Sequence, residues 1–153
     1  MNLAVGVILQ SRYIAMNELV ESAFDKALEN LGLNGMDALS ECDKVVASVF
    51  ALEVEVNNGG FDQFFYNPAG DLAFYVPEAL RIIGAHKTAK IAEKANSIFG
   101  KDGPSRDSSI RSEVLLSFGE KYEDYLGKLD DEFYEYPHDL YALLEQYLLK
   151  VNA

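Results

Sequence analysis

The sequence predicts an all-α protein, a single-domain irregular bundle of six to eight helices, and three observations carry that prediction. Apolar residues recur at helical spacing in one segment after another. No stretch alternates at period two for long enough to build a sheet. The composition, with 49% hydrophobic, 12% aromatic and 25% charged residues, is that of a chain that folds around a core. A length of 153 residues fits one domain, and no sequence repeat appears. Residues 1–10 read as an N-terminal extension and 11–153 as the helical domain.

From Met16 to Leu31, Val20, Ala23, Phe24, Ala27, Leu28 and Leu31 share one helical face, opposite Glu21, Asp25, Lys26 and Glu29. Gly32, Asn34 and Gly35 supply the stop. A second helix starts at Ser40, an N-cap with Asp43 as its reciprocal partner. Its apolar arc is wide (Val45, Val46, Val49, Phe50, Leu52, Val56), which marks it as central. Leu52–Val56 alternates locally, but inside a longer 3.6-residue pattern, so it reads as helix. Asn57-Asn58-Gly59-Gly60 ends it, and Phe61–Tyr66 is a turn or two packed by its aromatics. Asn67-Pro68-Ala69-Gly70 is a turn. Leu72–Ile83 is helical, with Pro77 kinking it or opening its second part. Lys87–Phe99 follows Gly84, and Lys101–Ser109 is the clearest loop. Helices over Ile110–Phe118 and Glu120–Leu129 come next. A final one after Pro137 carries Leu140, Leu143, Leu144, Tyr147, Leu148 and Val151 at helical spacing.

Searching for chemistry yields little. The histidines, His86 and His138, belong to no metal-binding spacing and are read as helix-opening and capping residues. Gly59-Gly60 lacks the lysine and hydroxyl of a phosphate-binding loop. Glu53, Glu55 and Asp62 lack the spacing of a calcium loop. Cys42 stands between Glu41 and Asp43, which disfavour a thiolate; a lone cysteine also fits a reducing compartment. The apolar run Leu3–Leu9 is too short to span a bilayer and reads as no signal peptide; it is expected to pack on the body or on a second subunit. The expectation is a cytoplasmic, non-membrane protein that is not an enzyme, with no catalytic residue, metal or cofactor.

The densest local pattern is Glu55-Val56-Asn57-Asn58-Gly59-Gly60-Phe61-Asp62-Gln63-Phe64-Phe65-Tyr66-Asn67. Physically it is a tight helix-to-helix corner. The glycines let the backbone turn, Phe61, Phe64 and Phe65 anchor it in the core, and amide side chains bond exposed backbone groups. The segment also resembles the bacterial DNA-mimic-protein-like domain family, whose Asn-Gly-Gly-Phe-x-Gln-Phe-Phe-x-Asn core is matched by Asn58, Gly59, Gly60, Phe61, Gln63, Phe64, Phe65 and Asn67. The likeness extends to Glu55, to Ala79-Leu80 and Ile83-Gly84-Ala85, and to Leu129-Asp130 and Phe133-Tyr134, covering about residues 40–150. The resemblance implies an all-helical fold. From the family's best-known member it also implies an acidic homodimer that imitates the charge of duplex DNA on the DNA-binding face of a transcriptional repressor.

The charge suits such a role. Lys and Arg number 13 against 25 Asp and Glu, a net −12, which repels nucleic acid and favours a basic protein partner. Residues 113–153 hold 10 acids and 3 bases, net −7, in barely a quarter of the chain. Glu120, Glu123, Asp124, Asp130, Asp131, Glu132, Glu135 and Asp139 form the expected partner-binding acidic face; Glu120, Glu123 and Asp124 have the spacing of one helical face. A helix-turn-helix regulator is the expected partner. The alternative is an immunity or antitoxin protein that covers a basic toxin, using acid-aromatic residues such as Asp131-Glu132-Phe133-Tyr134-Glu135-Tyr136.

Overall fold

The computed structural model describes the backbone of residues 3–153 and, from residue 18 onward, the side chains. Among the described residues seven helices follow one another: α1 (Leu3–Asn34), α2 (Glu41–Tyr66), α3 (Val76–Ile82), α4 (His86–Asn96), α5 (Ser108–Ser117), α6 (Glu123–Tyr134) and α7 (Leu140–Val151). Short 3₁₀ turns at Met36–Ala38, Pro68–Leu72 and Ser97–Phe99 link some of them, and no strand occurs among the described residues. The apolar run Leu3–Leu9 and the extension at residues 1–10 fall outside the described side chains.

α2 is central, as its wide apolar arc requires: α1, α3, α5, α6 and α7 all pack on it. Val45, Val46, Val49, Leu52 and Val56 are buried in this environment, so tertiary packing overrides the modest helix propensity of a valine-rich run. Ser40 caps α2 by accepting from the Asp43 N–H at 3.1 Å. The expected reciprocal bond is replaced by a tertiary one, because the Asp43 carboxylate accepts from Asn30 of α1 at 2.9 Å. Val20 and Ala27 of α1 are fully buried, and Phe24 stacks on Phe50 of α2 with ring centroids 3.9 Å apart. Phe50 in turn meets Tyr141 of α7.

Several boundaries differ from the sequence expectations. α2 runs on through Asn57–Gly60 to Tyr66, with non-helical backbone only at Gly59 and Gly60, so Phe61–Tyr66 is a second helical arm. Pro77 opens α3 from within its first turn, where its missing N–H costs nothing. α6 begins at Glu123, leaving Glu120 in the turn before it. Asp107 caps α5 through the Ser109 and Ile110 N–H groups, and Asp139 caps α7 through that of Ala142. In α7, Leu140, Leu144 and Leu148 are buried while Val151 is exposed.

The second arm of α2 feeds a chain of ring contacts through the core. Phe133 meets Phe61 edge-on, Phe61 meets Phe65, Phe65 meets Phe99, and Phe99 leads through Phe118 to Tyr122. Centroid separations of 4.9–6.1 Å fall in the range where aromatic pairs attract beyond simple burial. The rings tie both ends of α6 to α2, which fixes how α6 presents its outer face.

Candidate functional site

The break in α2 is where the motif residues meet the acidic segment. Gly60 has φ +74° and ψ −176°, a backbone region essentially reserved for glycine. Interrupting a helix frees carbonyls on one side and N–H groups on the other. α6 satisfies both. Asp130 Oδ1 accepts from the Phe61 N–H at 2.8 Å, and the Tyr134 hydroxyl donates to the Val56 carbonyl at 2.7 Å. Lying four residues apart, these two side chains share one face of α6. Tyr136, at φ +48°, donates its hydroxyl to Asn57 Oδ1 at 2.9 Å. Phe61, Phe64 and Phe65 are buried as anchors.

The polar motif residues work differently from the sequence expectation. Gln63 and Asn67 do not bond backbone through their side-chain amides; both donate to Glu55 Oε2, at 2.9 and 2.8 Å. One carboxylate on the first arm thus holds the second arm and the residue that ends it. Asn58 and Gly59 are exposed at the corner.

Sequence reasoning missed the group that locks the far end of this arm. Arg111, from α5, is fully buried and donates to the carbonyls of Phe65 (2.7 Å), Asn67 (2.8 Å) and Ser105 (2.7 Å) and to Asp71 Oδ1 (2.8 Å). Gly70 leaves room for it, since a Cβ there would lie 2.6 Å from Arg111 Nε. Nothing in the local sequence marks Arg111, because three of its four partners are backbone carbonyls and the fourth, the Asp71 carboxylate, lies 40 residues away.

The eight predicted acidic residues divide into two sets. Three have structural work: Asp130 at the break, Asp139 at the α7 cap, and Glu132, paired with Lys94 at 3.4 Å. Burial is the main influence on Asp130 and lifts its carboxyl above the ordinary value, against the Phe61 N–H that lowers it. The other five, Glu120, Glu123, Asp124, Asp131 and Glu135, are exposed and form no ion pair among the described residues. At 100° per residue, Asp124 and Asp131 lie on one stripe of α6, which Glu135 continues at its C-cap. Lys128 is the single base on that stretch. Glu123 and Asp124 occupy the first turn of α6, where the helix dipole favours anions, so their like-charge repulsion is partly offset. Glu120, outside the helix, does not share their helical face.

The remaining ionisable groups have local roles. His138 Nε2 accepts from the Lys87 N–H at 3.2 Å, so it caps α4 from across the chain while Asp139 caps α7. Burial, with Lys87 and His86 nearby, keeps His138 below its ordinary pKa. Burial first and the Asp43 carboxylate second push the Cys42 thiol up. Glu53 is raised by burial and then by Asp139. Among the described residues, no group of three or more His, Cys, Asp and Glu is placed to hold a metal ion, and no helix is long and apolar enough to cross a membrane.

The chain belongs to the DMP19-like protein family, whose model matches residues 37–152. No curated protein and no solved structure matches the chain. The matched segment begins just after α1, although α1 contributes Val20 and Ala27 to the core.

Proposed function

We propose that this member of the DMP19-like family is a protein-binding module that presents carboxylates to a basic protein where that protein would otherwise meet DNA. The family description carries DNA mimicry by its name, and the observation that supports it in this chain is the outer face of α6. Asp124, Asp131 and Glu135 stand there unpaired among the described residues, with Glu120 and Glu123 beside its start. From Asp124 to Glu135 a helix rises roughly 16 Å, over which one DNA strand carries about five phosphates. The stripe is therefore sparser than DNA. Its effect lies in steering and in matching a few lysines or arginines, rather than in reproducing every phosphate.

In this reading the partner is a helix-turn-helix regulator, the setting is cytoplasmic, and the chain works without catalysis, as a homodimer. The acids carry the recognition. The hydroxyls of Tyr134 and Tyr136 are engaged at the α2 break, which leaves the toxin-neutralising alternative with weaker aromatic anchors.

The test is capture of partners from native extract at low and high salt, followed by competition with duplex DNA. A captured helix-turn-helix protein that DNA displaces supports mimicry; a partner indifferent to DNA refutes it. Reversing Asp124, Asp131 and Glu135 together to lysine should weaken that complex by roughly 10–100-fold at low salt, taking about 0.5–1 kcal/mol per exposed charge. Unchanged affinity would move the interface off α6.

A further inference from the structure

A groove lies beside the acidic stripe, between the second arm of α2, the end of α5 with the turn that follows, and the start of α6. Its volume is about 500 Å³. Three carboxylates line it, Asp62, Glu123 and Asp130, and no lysine or arginine does. Its apolar surface is unusually open: Leu116 is 67% exposed and Tyr66 52%, with Phe118 half-buried alongside. Lys121 flanks the groove, with its ammonium 4.9 Å from the centroid of the Tyr122 ring. Large exposed side chains gathered in a concavity favour an occupant that takes them out of water.

We infer that this groove receives an arginine side chain from the basic partner, anchoring the complex that the acidic stripe of α6 attracts. The inference rests on the protein-binding reading above and names the point of attachment. An arginine suits both halves of the site. Its methylene stem can lie on Leu116 and Phe118, and its planar guanidinium can stack on Tyr66 while bonding a carboxylate through two N–H groups. Asp62 comes from α2 and Glu123 from α6, so two helices each offer the charged head a carboxylate. The lining of carboxylates with no lysine or arginine favours a cationic side chain over the acidic surface of a second copy, so the homodimer proposed above does not pair through this groove. The volume holds a long side chain and its neighbours, and a whole helix would sit across the mouth.

Gly127 makes the idea testable. It lines the groove, and a Cβ built there meets nothing within 4 Å, so a larger side chain grows into open space. Gly127→Phe fills the groove from its α6 wall while removing a helix-interior glycine, which favours folding. Asp62→Lys is a second variant, at an exposed residue that makes no hydrogen bond or ion pair among the described residues.

The experiment titrates the ¹⁵N-labelled protein with a short helix-forming peptide carrying one arginine between leucines, and with the same peptide carrying glutamine instead. Shifts concentrated at residues 62–66 and 115–127, weakened at least tenfold by either variant or by the glutamine peptide, support the groove. Shifts spread over carboxylates everywhere, no shifts, or equal binding by Gly127→Phe overturn it. The partner protein separates the two levels. If the captured regulator binds wild type and Gly127→Phe equally, the groove is wrong and the acidic-face reading stands. If wild type captures no DNA-displaceable basic protein, both fall together.

Discussion

Replacing Gly60 with alanine tests the α2 break most directly, because the structure gives the change two separable costs. At φ +74° and ψ −176° an alanine sits in a region essentially closed to side chains, which costs about 1–3 kcal/mol. Its Cβ would also lie 2.3 Å from Asp130 Oδ2, so the carboxylate must swing away and release the Phe61 N–H, a further loss of about 1 kcal/mol. The sum, roughly 2–4 kcal/mol, is a large share of the 5–15 kcal/mol typical of a domain. With a urea slope of about 2 kcal/mol per molar, the unfolding midpoint should fall by roughly 1–2 M. Circular dichroism during urea unfolding reads this directly. Repeating the substitution in an Asp130→Ala background removes the collision and leaves only the backbone strain, so the cost of alanine should drop by about 1 kcal/mol. A single-variant loss below about 0.5 kcal/mol, or an identical cost in both backgrounds, would refute the described break.

Arg111→Met should be equally damaging, by about 3–5 kcal/mol, since three backbone carbonyls and the half-buried Asp71 lose their donor at once. Urea unfolding measures it, and Arg111→Lys should recover only part, having one ammonium where the guanidinium served four acceptors. Glu53→Gln is expected to stabilise. Burial raises the folded carboxyl above its unfolded value, so ionisation opposes folding at neutral pH, and the penalty fades as pH falls through the folded value toward 4.5. Thermal melts of both proteins between pH 7 and 4 should converge at the acid end; a constant gap would point to another cause. His138 runs the other way. Its folded pKa lies below 6.5, so the protein loses stability as pH drops from 6.5 toward that folded value, and His138→Gln should flatten this part of the profile.

Local patterns carried much of the fold to the reader of the sequence. The wide apolar arc of α2, the Ser40 cap and the turn at Gly59-Gly60 are short-range properties, and each has its place in the structure. The length of α2 was harder to read, since Asn-Asn-Gly-Gly carries every mark of a helix end. What carries the helix direction past it comes from elsewhere: Asp130, Tyr134 and Tyr136 reach the break from 69 to 79 residues away. Glu55, Gln63 and Asn67 likewise stand close enough in sequence to be suspected of interacting, but only the folded corner points both amides at one carboxylate. The acidic segment was legible as a concentration of charge. Which members serve the scaffold was not, because capping the Phe61 N–H and facing solvent require the same residue type. Arg111 shows the limit most clearly, as a buried cation whose acceptors are three carbonyls and one distant carboxylate carries no pattern of its own.

The side chains that tie α6 to α2 lie along its inner edge, Asp130, Phe133 and Tyr134, with Leu126 and Leu129 buried beside them. Positions 124, 128, 131 and 135 hold nothing in place. A lock on one side and a blank on the other let the outward residues be rewritten freely while the corner keeps its shape. Substitutions confined to those solvent-facing positions should therefore leave the corner intact and shift stability by no more than about 0.5 kcal/mol.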